Sequence, residues 1–256
     1  MKSLLTFAKK ELAEQYRCSR LMILGLIFFA LGIMNPAVAK LTPWLLEIFA
    51  DSLAESGMII TGVEVSALDS WVQFYKNVPM GLIAFVLIEG GIFTKEYESG
   101  TLVLSLTKGL SRPYVVFAKS GVLILVFSAC YWMCYAITYA YNAYFWDNSV
   151  ARELGFSALC FYAFAIFIIA LITLFSVISN TATGVFLGTG GVVFTLYLAS
   201  IIPKVGKYLP TLLADGVSLI SGVQPADYYT YALIITAAVS VLCFAMSIII
   251  FNKKQL

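Results

Sequence analysis

Long apolar stretches alternate with short polar ones along this chain. Six of the apolar stretches are long enough to be membrane-spanning helices, since about 20 mostly apolar residues cross the hydrocarbon core of a bilayer. They cover about residues 21–39, 72–93, 120–141, 157–179, 183–202 and 229–251. The pattern therefore predicts an all-α integral membrane protein with six transmembrane helices, which form a single transmembrane domain over residues 1–256.

The segment before the first predicted span has a different pattern. Between about residues 2 and 18, Leu5, Ala8, Leu12 and Tyr16 recur at helical spacing, and most of the charged side chains fall on other faces. This spacing is typical of an amphipathic helix that lies along the membrane surface in contact with lipid. A solvated tail is the alternative interpretation.

The composition agrees with a membrane protein and argues against several other classes. The chain is 61% hydrophobic and 12% charged, whereas soluble domains are nearer half apolar and about a quarter charged. A net charge of only +2 gives no indication of nucleic-acid binding. The chain has no histidine, which excludes His-based zinc sites and Ser-His-Asp triads, and it has no P-loop motif. We therefore expect no catalytic residue, metal or cofactor on this chain.

The basic residues are distributed unevenly between the two sets of loops. If the N-terminus is cytoplasmic, eleven of the sixteen basic residues lie in inner segments, whereas nine acidic residues lie in outer loops and four in inner ones. Cytoplasmic loops of membrane proteins carry an excess of lysine and arginine. The distribution predicts that both termini and the loop between spans two and three are cytoplasmic, and that the loops at 40–77 and 203–228 face outward.

The loop between spans two and three combines charges with turn signals. It reads Glu96-Tyr97-Glu98-Ser99-Gly100-Thr101, then Leu110-Ser111-Arg112, then Ala118-Lys119. A short helix from about Thr101 to Lys108, closed by Gly109, fits this pattern. Such a helix, with charges beside it, is a suitable docking element for a soluble partner. An ordinary solvated loop is equally compatible with the residues.

This arrangement resembles the signature of ABC-2 type transporter permeases. In that family the second span ends in E-x-E-x-G-T, and an element with Ser or Thr before Arg precedes span three. Gly109 stands where the family usually has proline. The resemblance implies the membrane subunit of a bacterial ABC exporter in the cytoplasmic membrane, with the loop as a coupling helix. The implied partners are two ATPase subunits that bind ATP and Mg, a second permease copy or paralogue, and membrane lipid. The residues implied in coupling are Glu96, Glu98, Gly100, Thr101, Leu102, Ser111 and Arg112.

A few residues inside the predicted spans are candidates for a transport pathway. Glu89 lies in span two, where an ionisable residue is a functional candidate by default. It could instead pair with Lys95 or with a residue of the amphipathic helix. Tyr131, Tyr135 and Tyr139 step by four along one face of span three. They fit either an amphipathic pathway or an aromatic belt with ordinary packing.

The apolar, aromatic interior that the sequence predicts suits an amphipathic or lipophilic cargo, such as an antimicrobial peptide. Two other functions remain open at this point. One is a non-transporting immunity or sensor protein on the same fold. The other, less favoured because so few polar residues fall within the spans, is an intramembrane enzyme.

Overall fold

The structure is a computed structural model that describes residues 2–48, 65–98, 100–107 and 111–254. It is 86% helical, and the described ranges contain no strand. Six of its helices are long and apolar enough to cross a membrane. The prediction of six such helices is confirmed, and by their length and composition the chain is a multi-pass membrane protein.

The helices follow the predicted order. They are α1 (Lys2–Arg17), α2 (Arg20–Ile48), α3 (Ala67–Glu89), α4 (Thr94–Glu98), α5 (Thr101–Thr107), α6 (Arg112–Phe145), α7 (Leu154–Ile178), α8 (Ala182–Ser200), α9 (Pro203–Gly206), α10 (Gly216–Ile220) and α11 (Asp227–Lys253). Short 3-10 turns at Asn148–Val150 and Pro210–Ala214 complete the connections. The six membrane-length helices are α2, α3, α6, α7, α8 and α11.

The first span is longer than predicted, because α2 continues through Pro36 and Pro43. Proline has no backbone N–H, so Pro36 leaves the carbonyl four residues earlier, that of Gly32, without its helical partner. The Thr138 hydroxyl of α6 donates to this carbonyl at 3.1 Å. A neighbouring helix therefore supplies the missing donor, as membrane helices with internal prolines require.

The predicted outer loop at 40–77 is helical at both ends, since α2 reaches Ile48 and α3 begins at Ala67. Asp69 Oδ2 accepts hydrogen bonds from the Ser66 backbone N–H at 2.8 Å and from the Ser66 hydroxyl at 3.0 Å, at the start of α3. The interval 49–64 lies outside the described residues.

The bundle is centred on α7, which is apolar on all sides. Within an apolar 18-residue stretch of this helix, 72% of the residues are buried. It packs against α6, α8 and α11, while α2 packs against α3 and α6. Large aromatic side chains fill the interior, among them Trp71, Phe85, Phe127 and Phe161. By contrast, only 11% of the residues in the corresponding stretch of α8 are buried.

The connection between α8 and α11 folds onto one end of the bundle. Its 3-10 turn Pro210–Ala214 packs on α7, α8 and α11, and α10 packs on α3 and α7. A Cβ at Gly216 would lie 2.2 Å from a ring carbon of Tyr75, so only glycine fits at this contact. This end of the bundle is opposite the end that carries α1.

Helix α1 lies against α6 and α2, and it turns an unexpected face toward them. The buried face carries Phe7, Glu11 and Gln15, whereas Leu5 and Tyr16 of the predicted apolar face are exposed. The helix therefore contacts the protein through a face that combines Phe7 with polar residues, and most of the predicted apolar face is exposed.

Candidate functional site

Charged side chains from distant parts of the chain meet at one end of the bundle. We call this the α1 end; it comprises α1, α4, α5, the first turns of α6 and the last turns of α7 and α11. The segment that resembles the coupling helix lies here, because α4 and α5 connect α3 to α6.

Lys119 is the centre of this cluster, and its side chain is only 1% exposed. Its ammonium donates to Glu11 Oε2 of α1 at 2.8 Å, and it lies 3.1 Å from Glu96 Oε2 of α4. It also donates to the backbone carbonyl of Ile92 at 3.2 Å. A single buried cation on α6 therefore joins α1 to the segment that follows α3.

A second lysine approaches the same carboxylates from α1. The Lys10 ammonium lies 2.6 Å from Glu96 Oε1, 3.3 Å from Glu11 Oε1 and 3.6 Å from Glu14 Oε2. Partial burial acts to lower the pKa of Lys10, but the hydrogen bond to Glu96 and the nearby charge of Glu11 outweigh it and raise that pKa. Glu96 is thus held between two ammonium groups.

Three acidic residues of the cluster bring their carboxylate oxygens within 4.8 Å of one another: Glu11, Glu14 and Glu96. The Lys10 ammonium lies within 3.6 Å of an oxygen of each of them. Hydrogen bonds from the ammonium groups of Lys10 and Lys119 already occupy the carboxylates of Glu11 and Glu96. The arrangement is therefore that of an ion-pair network rather than of a metal ligand set.

Glu89 is fully buried near the end of α3, and α1 supplies its main partner. Gln15 Nε2 donates to Glu89 Oε2 at 2.6 Å, and an Arg20 nitrogen lies 3.9 Å from the same oxygen. The amphipathic helix therefore binds this carboxylate, as one of the two structural interpretations expected. Lys95, the other expected partner, is exposed and forms no ion pair with Glu89 within 4 Å in the described chain.

Two more cations of the α1 end donate hydrogen bonds to the C-terminal carbonyls of helices. Arg112 donates to the backbone carbonyls of Phe251, Asn252 and Lys254, at the C-terminus of α11. Lys254 in turn donates to the Val177 carbonyl at the end of α7, at 2.6 Å, and lies 4.3 Å from the ring centre of Tyr97. The last carbonyls of a helix have no partner within it and carry partial negative charge, so cations there are favourable.

The remaining residues implied in coupling occupy different environments. Gly100 has φ +66°, a left-handed conformation that suits glycine, and it separates α4 from α5. Thr101 and Ser111 are exposed, while Leu102 is buried in the core. Glu98 ends α4, but its side chain and residues 99 and 108–110 lie outside the described part of the chain.

The three tyrosines of α6 differ in their surroundings. Tyr131 is buried, donates from its hydroxyl to the Ala158 carbonyl at 2.9 Å and stacks on Phe127. Tyr135 is partly buried and packs against Trp132, and Tyr139 is 47% exposed. The contacts of Tyr131 are those of a packed core residue, and a pathway role for the three stays a prediction.

The sequence did not single out Glu11, Gln15 or Lys254, and it included Lys119 only as the last residue of the loop pattern. Phe7, Glu11 and Gln15 recur every four residues, which places them on one helical face. A face that mixes one aromatic residue with polar ones is a weak signal of burial. The partners of such residues could not be read from the sequence, because Glu11 and Lys119 are 108 residues apart.

No protein-family model matches this sequence, and no curated protein matches it.

Proposed function

We propose that this chain is the permease subunit of an ATP-binding cassette transporter, driven by a separate ATPase that docks at the α1 end. The observation that carries the proposal is the segment from Glu96 to Thr101. It resembles the ABC-2 signature and forms two short helices around Gly100, between the second and third membrane-length helices. The sequence has no P-loop motif, so in this proposal ATP and Mg are bound by the partner.

The ion pairs of the α1 end give this proposal a mechanical basis. Glu96 is held by Lys119 of α6 and Lys10 of α1. A push on α4 and α5 would therefore be transmitted to α1 and α6 through buried contacts. Arg112 and Lys254 would extend the same movement to the ends of α11 and α7.

The same end would face the cytoplasm. The described N-terminal and C-terminal helix ends and the α4–α5 segment all meet there, as an even number of spans requires. The basic residues concentrate in these segments, in keeping with the excess of lysine and arginine in cytoplasmic loops. The membrane would be a bacterial cytoplasmic membrane if the family resemblance holds.

An apolar groove of about 310 Å³ supports a lipophilic or amphipathic cargo. It lies between α3, α7 and α8, and its lining includes Leu82, Val86, Phe164 and Phe186. Pockets with mainly apolar walls bind ligands of similar character. Helix α8 is largely unburied in the single chain, so a second permease copy or a paralogue could complete the pathway, and an antimicrobial peptide would suit it as cargo.

The test is purification of the tagged chain from its native membrane, followed by assay of Mg-ATP hydrolysis and identification of bound subunits. We expect a P-loop ATPase to copurify. Glu98→Lys should reduce its association or uncouple hydrolysis from cargo flux, while Glu153→Lys, an exposed reversal at the opposite end, should do neither. Hydrolysis and association that are unchanged by Glu98→Lys would contradict a coupling role for this residue. Absence of any ATPase from the native complex would refute the proposed class.

A further inference from the structure

A polar pocket lies at the end of the bundle opposite the α1 end. Its volume is about 330 Å³, and its lining is Tyr197, Ser200, Gly206, Lys207, Thr211, Leu212, Asp215 and Tyr228. Helix α8 ends at Ser200 and α11 begins at Asp227, so the pocket lies where two membrane-length helices reach the membrane–water boundary. None of its residues belongs to the proposed coupling site.

The pocket contains one side chain of each charge. Lys207 and Asp215 both line it, and neither forms an ion pair within 4 Å anywhere in the described ranges. The Asp215 carboxylate accepts from the Ser218 N–H at 3.2 Å and from the Ser218 hydroxyl at 2.7 Å. Because a carboxylate offers about four acceptor positions, it can still bind a donor from the pocket. The Lys207 ammonium lies 4.7 Å from the ring centre of Tyr208, and like other partly exposed lysines it is charged at neutral pH.

Thr211 provides a second, independent observation. Its side chain is 5% exposed, and its hydroxyl has no hydrogen-bond partner within the described chain. Buried polar groups nearly always have a partner, and a missing one is costly. Thr211 lines the pocket, so a rotation of its side chain would let a bound molecule supply that partner.

The walls of the pocket are held in place. The Tyr229 hydroxyl donates to the Asp215 backbone carbonyl at 3.0 Å, which fixes the position of this residue. A Cβ at Gly206 would lie 2.9 Å from the Ser200 carbonyl oxygen, so the chain after α8 turns back closely on the end of that helix.

We propose that this pocket binds the zwitterionic headgroup of a phospholipid, of the phosphatidylethanolamine type. The lipid ammonium lies against Asp215, with the rings of Tyr197 and Tyr228 as further attraction for a cation. The lipid phosphate accepts hydrogen bonds from Lys207 and from the Thr211 hydroxyl. A ligand with both charges matches the pocket better than a simple anion or cation, and the position at the membrane boundary favours a lipid over a soluble molecule.

The test is calorimetric titration of the full chain in detergent with dihexanoyl phosphatidylethanolamine. Dihexanoyl phosphatidylglycerol, which has the same acyl chains but no ammonium, is the comparison. We expect at least about tenfold tighter binding of the ethanolamine lipid, as expected for one charged hydrogen bond. Asp215→Asn keeps an oxygen that can accept from Ser218 and should abolish this preference. Lys207→Gln and Thr211→Val should weaken binding of both lipids.

Asp147→Asn is the matched control, because Asp147 also accepts from a nearby serine, Ser149, but lies outside the pocket. It should bind both lipids as the wild type does. Equal affinity of the wild type for the two lipids, or a preference that survives Asp215→Asn, would overturn the proposal. Glycerophosphoethanolamine has no acyl chains; if it bound as tightly as the lipid, the ligand would be a soluble zwitterion and the assignment to lipid would fail.

Discussion

At the scale of single residues, the α1 end shows how a charge can be buried without being isolated. Taking an ion out of water costs several kcal/mol, and only close partners with good geometry offset this cost. Lys119 has such partners in Glu11 and Glu96, at 2.8 and 3.1 Å. Lys10 adds a second positive charge beside Glu96, so the local charge of the two lysines matches that of the two buried carboxylates.

Lys119→Met removes the central cation and leaves two carboxylates with fewer partners. Breaking a buried pair in this way costs about 3–5 kcal/mol of unfolding free energy. Lys10→Met is the control, because its side chain is 47% exposed and solvent screens its pairs; we expect a loss below about 1 kcal/mol. Thermal unfolding in detergent measures both. A Lys119→Met protein as stable as the wild type would show that the buried pairs do not contribute.

Variants of Glu89 can distinguish a structural role of this carboxylate from a role in a transport pathway. Glu89→Gln keeps an oxygen that can accept from Gln15, so stability should change little. Glu89→Leu leaves the buried Gln15 amide without its partner and should cost about 1–3 kcal/mol. Adding Gln15→Leu should restore part of this loss, as a double-mutant cycle in detergent would show. If Glu89→Gln abolished transport at unchanged stability, the pathway role would be favoured instead.

At the scale of helices, length and apolarity were enough to predict the six long helices, because a bilayer sets the number of residues that a span needs. Their ends were less predictable. Helix α2 continues past residue 39 although Pro36 removes one of its hydrogen bonds, and Thr138 supplies a donor to the Gly32 carbonyl that this leaves without a helical partner. The orientation of α1 could not be predicted from its hydrophobic pattern, since polar residues of its buried face bind partners that lie far away in sequence.

The ends of α7 and α11 provide a test at this scale. Arg112→Gln removes the guanidinium that donates to three carbonyls at the end of α11, and Lys254→Met removes the donor to Val177 at the end of α7. A hydrogen bond from a charged group contributes about 1.5–3 kcal/mol. We expect Arg112→Gln to speed hydrogen exchange in the last turn of α11, and Lys254→Met to speed it in the last turn of α7.

Each variant is the control for the other, because the two cations act on different helices. Equal acceleration at both helix ends in both variants would indicate general loosening of the α1 end. That result would contradict separate capping roles for Arg112 and Lys254.

At the scale of the whole molecule, the two ends of the bundle differ in chemistry. The α1 end carries the ion-pair network and the helix-capping cations, whereas the opposite end carries the folded connection from α9 to α11 and the polar pocket. The sequence shows only that basic residues are concentrated in the segments of the α1 end, from which a cytoplasmic orientation is predicted. The sequence could not predict which charges are buried. Lys119 and Lys10 are both lysines within or beside predicted helices, and their burial differs because different elements pack around them.

The orientation of the chain in the membrane is a prediction from the distribution of basic residues and can be measured by cysteine labelling. In a Cys18→Ser background, Asn252→Cys places a thiol at the α1 end, and Val223→Cys places one at the opposite end, where Val223 is 75% exposed. The excess of basic residues at the α1 end predicts that this end is cytoplasmic. A membrane-impermeant maleimide should therefore label the Val223→Cys protein in intact cells, and the Asn252→Cys protein only after the membrane is permeabilised. Labelling of Asn252→Cys in intact cells would contradict the proposed orientation and would place the proposed coupling segment on the side of the membrane that has no ATP.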